Sequence, residues 1–583
     1  MGRSRLILLV IIGLAVLAIA VVRANYVRTA EYRTRAAIRE LLQPRNVPAY
    51  VKADDDSTEH RMRRFYRQRG HRPAWLTGGA PSGQARALLD VLGKADREGL
   101  PRESYRVGAI ETAFEDLAGI GPLTKIEPAR LATIDVLLTH SYLKYASNVH
   151  RGRIHPRALP HDWIARPRSL DYVAHLAAAL DRSRVEASLE ELPPPHPEYR
   201  RLRESLAHYR EIAAEGGWPG VGQGRTLDLG DRGARVATLR RRLAASGDLA
   251  GPAARGEVFD RSVDRAVRRF QARAGLDADG RVGPDEIAAL DVPVADRIRQ
   301  IELNLERWRW LPAELGDRYV VVNVPEYTLY VNEHGRDRWS MRVIVGEEFT
   351  PTPIFSDTLT HMVVNPAWNV PASIATGEIG PELARDRDYL ARHRMRAFDA
   401  EGKELDARAA ASAAAGGDSE LTIRQDPGEG NALGRLKFMC PNRFNVYLHD
   451  TPRADLFGAE ERDFSHGCIR LERPLDMAEY LMRGESTWGR ERIEQAIAAD
   501  SVREQHVRLP SKVPIHIFYW TAWTDDGGVA HFRDDVYEID AMLERALARR
   551  EAPVLSLRLP LGPVLAGQGA DRIQLATLER AVD

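Results

Sequence analysis

The sequence predicts an α+β chain of several domains: a helical scaffold, a compact three-helix unit, and a mainly-β region interrupted by a long insertion. Length is the first observation behind this. At 583 residues the chain exceeds what one core can hold, and about three to four folding units are expected. The second is periodicity: apolar residues recur at helical spacing before residue 226, and β-branched runs gather after residue 318. The third is composition, 44% hydrophobic and 28% charged, which is ordinary for globular domains. Lys plus Arg and Asp plus Glu both number 83, so the net charge is zero, which argues against nucleic acid as a partner recognised by bulk charge.

Residues 1–23 stand apart. Leu6 to Val22 is an unbroken run of seventeen apolar or glycine residues behind Arg3 and Arg5. As a helix it would reach about 25 Å, the lower edge of a membrane span. It reads as a retained anchor or a cleaved signal peptide. Ala18-Ile19-Ala20 resembles a cleavage site, but no polar stretch precedes it, so the anchor is preferred. Arg23, Arg28, Arg33 and Arg35 weaken an orientation argument from charge alone. In either case the rest of the chain is expected to be exported.

Residues 24–225 read as the helical scaffold. Leu88, Leu89, Val91 and Leu92 precede Gly99, Ala129 to Ala146 is apolar at helical spacing, and Leu192-Pro193-Pro194-Pro195 punctuates the end. No catalytic constellation appears there. Residues 226–293 form a tight unit. Gly230-Asp231-Arg232-Gly233 leads into an amphipathic helix through Leu243, and Asp260 caps a second helix ending at Ala274. Glycine-punctuated turns from Gly275 to Gly283 then lead to a third helix ending near Leu290. A linker helix occupies 294–318.

Strands follow at Tyr319 to Val324, Tyr327 to Val331, Trp339 to Val345, Thr358 to Asn365 and Asn445 to His449, with Asp526-Gly527 as a hairpin turn. Between Pro371 and Gly434 lies an insertion whose middle, Ala407 to Gly417, is rich in alanine and glycine and is expected to be mobile. An insertion of this length between strands is often a lid. The β-rich domain is bounded at 319–540, and residues 541–583 form a C-terminal helix and tail without a motif.

The chemistry concentrates in Tyr447-Leu448-His449-Asp450 and, fifteen residues further on, Ser465-His466-Gly467-Cys468-Ile469-Arg470. The chain has only two cysteines. A thiol attacks poorly and is activated by a nearby histidine or a helix N-terminus. Cys468 is the candidate nucleophile and His449 the base. Asp450, by its carboxylate or its backbone carbonyl, would orient the imidazole. The Gly467 N–H and the Tyr447 hydroxyl are candidate oxyanion donors. Arg470 suits bidentate capture of a carboxylate. Ser465 and His466 are candidate substrate contacts. A metal site built from His449, His466 and Cys468 is the rival reading, but no Cys-x2-Cys pair or helical His spacing accompanies it. A purely structural cysteine is the other rival. Cys440 lies in the apolar run Leu436 to Cys440 and reads as a buried, inert thiol rather than a disulfide partner.

His449, Ser465, His466, Gly467, Cys468 and Arg470 in this order and spacing resemble the signature of the L,D-transpeptidases with the YkuD-type catalytic fold. The segments Asn365-Pro366-Ala367-Trp368-Asn369-Val370-Pro371, Gly434-Arg435-Leu436-Lys437-Phe438 and His449-Asp450-Thr451-Pro452 extend the resemblance to large anchored members of the YcbB type. Residues 226–293 likewise resemble a peptidoglycan-binding domain of the common three-helix repeat. The resemblance implies transfer of a tetrapeptide stem through a cysteinyl thioester to a second stem, giving a 3→3 cross-link. It adds Trp368 and Asn369 as substrate contacts, and implies no cofactor and no metal. It also implies stem peptides and glycan as partners, cell-wall synthases as candidate partners, and a single-pass inner-membrane protein with its catalytic domain in the periplasm of a Gram-negative cell. A hydrolytic L,D-carboxypeptidase using the same residues, or a non-catalytic wall-binding protein, are the alternatives.

Overall fold

The computed structural model describes residues 31–550, apart from residue 45 and the segments 47–55, 120–125, 160–162, 165–167, 252–254, 416–420 and 500–502. The apolar run at Leu6 to Val22 and the tail after residue 550 lie outside these residues. Among the described residues no helix is long and apolar enough to cross a membrane.

The scaffold is built around helix α1, Pro128–Arg151, whose side chains are buried on nearly every side. Such a helix must be surrounded, and the neighbouring helices Asp56–Gln68 and Gly83–Gly93 do so. It carries one carboxylate, Asp135, which is fully buried but accepts from the Tyr66 hydroxyl at 2.7 Å and from the Ala74 and Trp75 amides at 2.9 Å. A buried carboxylate is tolerable only when satisfied in this way. Helix α2, Pro197–Ala214, ends the scaffold and carries its apolar face onward to the catalytic region.

The compact unit contains α3 (Ala234–Ala245), α4 (Arg261–Ala274) and α5 (Pro284–Asp291). Asp260 caps α4 by accepting from the Ser262 and Val263 amides, and Gly275 ends it in the left-handed region. Arg273 and Asp248 form a buried ion pair at 2.6 Å that ties α4 to the preceding loop. Helix α6, Val294–Trp308, follows and packs against α2 in the cluster that joins scaffold to barrel. Its Arg307 is fully buried and pairs with Asp540 of helix α9, Ile539–Arg550.

The β region contains strands β1 (Arg318–Asn323), β2 (Thr328–Glu333), β3 (Arg336–Ile344) and β4 (Ile354–Val364). After the insertion come β9 (Leu436–Met439), β10 (Leu448–His449), β11 (Ile469–Leu471) and β12 (Gln505–Phe518), with helices α7 (Pro474–Leu481) and α8 (Arg490–Ala498) before β12. Their order is β9-β10-β11-β3-β2-β1-β12-β4, and β4 pairs again with β9 through Leu436↔Val364, so the sheet closes into a barrel. Closure removes the free edges. Alternation points Val320, Val322, Leu329, Val331, Phe438, Leu448 and Ile469 inward to one core. A hairpin of β13 (Ala522–Thr524) and β14 (Ala530–Phe532) lies outside it. The hairpin turn runs from Asp525 to Gly528, and Gly528 rather than Gly527 carries the positive φ.

Two expectations change. The strand expected from Asn445 is only Leu448–His449, because Asn442 takes the Phe444 and Val446 amides and holds the chain in a turn. The insertion carries regular elements of its own, and Gly416 and Gly417, part of the stretch expected to be mobile, lie outside the described residues. Its strands β5 (Trp368–Asn369), β6 (Met395–Phe398), β7 (Glu404–Leu405) and β8 (Thr422–Gln425) form a separate sheet, and Ala407–Ala415 is a helix. Alanine is the best helix former, and its small side chain lets the helix press against Gly380, where an added Cβ would meet that of Ala414 at 3.0 Å. Ala410 is fully buried in the insertion's own core.

Candidate active site

Register builds the site. Lys437 pairs with His449 and His449 with Arg470 across β9, β10 and β11. Side chains at paired positions share a face, and so do those two residues away along a strand. Lys437, Tyr447, His449, Cys468 and Arg470 therefore stand on one outward face, opposite the barrel core. The parallel β10–β11 pairing sets Cys468 beside Tyr447 and one step from His449, although Cys468 lies nineteen positions after His449 in the chain.

His449 is 4% exposed, and its Nδ1 lies 2.5 Å from the Asp450 carbonyl oxygen. A carbonyl only accepts, so Nδ1 carries the proton and Nε2 is left as the base. Burial, with the nearby Arg470 and Lys437 cations, pulls the imidazole down to about 3, and the Asp450 and Leu433 carbonyls oppose this only in part. The Asp450 carboxylate does not touch the ring. It accepts from the Arg435 and Thr451 amides at 2.7 Å each, and burial raises it above the usual carboxylate range. The orienting group is thus the Asp450 backbone carbonyl.

Cys468 is half-buried and free. Burial raises its thiol, while a backbone hydrogen bond from Tyr447, the Lys437 cation, the Tyr447 hydroxyl and the Arg470 cation pull it back, in that order. The Tyr447 ring lies under the Lys437 ammonium at 3.7 Å, and burial raises its phenol. Lys437 carries no chemical signal in the sequence beyond its place in the Gly434 to Phe438 segment. Arg470 is half-buried, its Nε has no hydrogen-bond partner among the described residues, and burial lowers it.

The turn before Cys468 is held by a knot of backbone bonds. Ser465 is 2% exposed; its hydroxyl donates to the Cys468 carbonyl and receives the Gly467 amide at 3.1 Å. This corrects two expectations: Ser465 has no face for a substrate, and the Gly467 N–H is committed to the turn rather than to an oxyanion. Gly467 still needs to be glycine, with φ at +102°. Its carbonyl accepts from Thr352 Oγ1 at 3.0 Å, and Thr352 Oγ1 also receives the Gly346 amide at 2.9 Å. Tyr537, from the C-terminal side of the domain, donates to the Gly346 carbonyl. Thr352, Gly346 and Tyr537 carry no chemical motif and could not be found from sequence.

His466 points away from the turn and pairs with Glu378 of the insertion at 2.5 Å. Trp368 lies in β5 and packs against the insertion's core, and Asn369 beside it is exposed. Both are therefore parts of the insertion's sheet, while Cys440 is buried near Val446 and its thiol is pushed up to about 12. Among the described residues no group of His, Cys, Asp and Glu could hold a metal ion.

Comparison with known families matches residues 60–206 to a scaffold domain, 232–290 to a putative peptidoglycan-binding domain, and 317–492 to the L,D-transpeptidase catalytic domain called YkuD. A putative L,D-transpeptidase of Haemophilus influenzae is 29% identical over 248 residues, 42% of this chain and 49% of that protein, so the chain spans about half of the relative it matches. A solved L,D-transpeptidase from Xylanimonas cellulosilytica is 16% identical, with 51% of this chain and 99% of that one covered and a TM-score of 0.17. One from Stackebrandtia nassauensis is 13% identical, with 50% and 94% covered and a TM-score of 0.20. Likeness this distant carries no argument about the site. The family match and the site's register fall on the same strands, and the chain carries a YkuD-type L,D-transpeptidase catalytic domain together with a peptidoglycan-binding domain.

Proposed function

We propose that the chain forms 3→3 peptidoglycan cross-links. In this reading Cys468 Sγ attacks the carbonyl of the third residue of a tetrapeptide stem as its proton passes to His449 Nε2. The proton then goes to the departing terminal D-Ala, and a thioester remains. The side-chain amine of a second stem attacks the thioester, His449 takes the amine's proton, and the thiol is restored. The Tyr447 hydroxyl and the Cys468 amide are the donors left for the oxyanion once Gly467 is excluded. Arg470 would hold a stem carboxylate. The insertion, tied to His466 through Glu378, would exclude water, the standing competitor for a thioester. An inner-membrane anchor, a periplasmic catalytic domain and synthase partners belong to the same proposal.

The observation that carries it is the His449 tautomer, fixed by the Asp450 carbonyl one step from Cys468. Incubation of the purified chain with tetrapeptide stems, with products resolved by mass, tests it. Cross-linked dimer and free D-Ala are expected. Tripeptide without dimer would make the protein an L,D-carboxypeptidase, and no product at all would favour a wall-binding role. A carbapenem is also expected to acylate the wild type and not Cys468→Ala.

A further inference from the structure

Where α2, the β1–β2 hairpin and the β13–β14 hairpin meet, there is a cavity of about 460 Å³. It shares no lining residue with the catalytic face. Tyr319, Tyr330, Trp520 and Trp523 form aromatic walls. Trp520 is stacked on the buried Trp308 at 4.6 Å and 13° and tilts against Phe518 at 4.6 Å, and Trp523 is stacked on His531 at 5.3 Å and 18° with the Arg533 guanidinium 4.9 Å from its ring centre, so both indoles are held in fixed orientations at the cavity wall. The rim is acidic: Glu198, Asp337, Asp525 and Asp526 line it. Arg201, the lining guanidinium, is already taken by Asp526 at 3.2 Å and Glu198 at 3.6 Å.

The wall also carries unmet polar capacity of both kinds. Trp308 Nε1, a donor, Asn332 Oδ1, an acceptor, and Thr524 Oγ1, which is either, have no partner among the described residues. These side chains are only 1%, 5% and 4% exposed, where an unpaired polar atom is costly.

The chemistry of the walls selects among ligands. An anion would meet the carboxylates of the rim. An apolar ligand would leave the polar atoms unpaired. An organic cation could use rings and carboxylates but offers Trp308 Nε1 nothing to donate to. A sugar ring offers an apolar C–H face to an indole and hydroxyls that both donate and accept. We propose that this cavity is a binding site for an uncharged saccharide, separate from Cys468 and from the 226–293 unit. Because α2 supplies one wall and the barrel the others, a bound sugar would touch the scaffold and the catalytic domain together. The proposal is independent of the cross-linking reaction.

The probe is the neutral trimer triacetylchitotriose, titrated into the full chain and followed by saturation-transfer NMR. Saturable binding is expected for the wild type, equal binding for Cys468→Ala, and a loss of about tenfold or more for Trp523→Ala. Glu198→Gln, on the surface of α2, should also weaken binding and covers the case in which Trp523→Ala fails to fold. Three results would each overturn the proposal. One is no saturation transfer up to about 10 mM trimer. Another is unchanged affinity in a folded Trp523→Ala and in Glu198→Gln, which would place the sugar on the 226–293 unit. The last is a Trp523-dependent response to benzyltrimethylammonium with none to the trimer, which would make the cavity an organic-cation site.

Discussion

The resting nucleophile is expected to be a neutral thiol beside a neutral imidazole, not a standing ion pair. His449 is held at about 3 by burial and two neighbouring cations. Against an ordinary value near 6.5, that opposes the imidazolium by roughly 5 kcal/mol. At pH 6 only about one ring in a thousand would carry a second proton. The Cys468 thiol is also raised, so neither half of an ion pair is favoured. Alkylation by iodoacetamide reads this directly, because only the thiolate reacts. Between pH 5 and 8 the rate at Cys468 should climb about tenfold per unit. Cys440 is buried and pushed up to about 12, so it contributes nothing, and Cys468→Ala supplies the blank. His449→Gln should keep the same slope, since the imidazole is not the titrating group. A rate independent of pH over this range would mean a preformed thiolate–imidazolium pair, and the reasoning from burial and the cation row would be wrong.

The same imidazole makes stability depend on pH. Its folded value lies below its unfolded one, so its contribution is complete above about pH 6.5 and is lost as the pH falls toward about 3. The loss at pH 5 relative to pH 8 should be about 2 kcal/mol. Amide exchange in β9 and β10 should show it in the wild type and not in His449→Gln. Gly434 has φ at +62°, and an added Cβ would lie 2.3 Å from Asp450 Cγ. Gly434→Ala should cost about 2 kcal/mol or more and slow stem turnover by moving the carbonyl that orients His449; unchanged melting and turnover would contradict this. The Glu378–His466 pair is exposed and therefore contributes only about 0.2–1 kcal/mol. Glu378→Gln should speed amide exchange over residues 372–385 by about 1.4- to 5-fold, and no change would show that the pair does not hold the insertion down.

What could be read from the chain was what local pattern encodes. Asp260 as a cap, the closing glycine at Gly275 and the β-branched runs of β1 and β2 each depend on neighbours in sequence, and each forms where expected. The helix in the insertion was not legible because an alanine-rich stretch reads by composition as a loop, whereas here alanine serves close helix packing against Gly380. The Ser-His-Gly-Cys motif misled differently. Its residues looked like four contributors to chemistry, but the Gly467 amide donates to the Ser465 hydroxyl and that hydroxyl donates to the Cys468 carbonyl, so Ser465 and Gly467 shape the turn that presents Cys468.

The residues that sequence could not assign are those whose role arises from closure of the barrel. Lys437 comes to His449 only because β9 pairs with β10, and Thr352, Gly346 and Tyr537 meet at the Gly467 turn from three separated segments. No spacing rule encodes such meetings. They also set the electrostatics: burial first, and then the Arg470 and Lys437 cations, keep the imidazole unprotonated, and the same cations offset part of the burial that raises the thiol. Pairing of β9 with β10 thus adds Lys437, and pairing of β10 with β11 brings Arg470, to the histidine and cysteine of the motif.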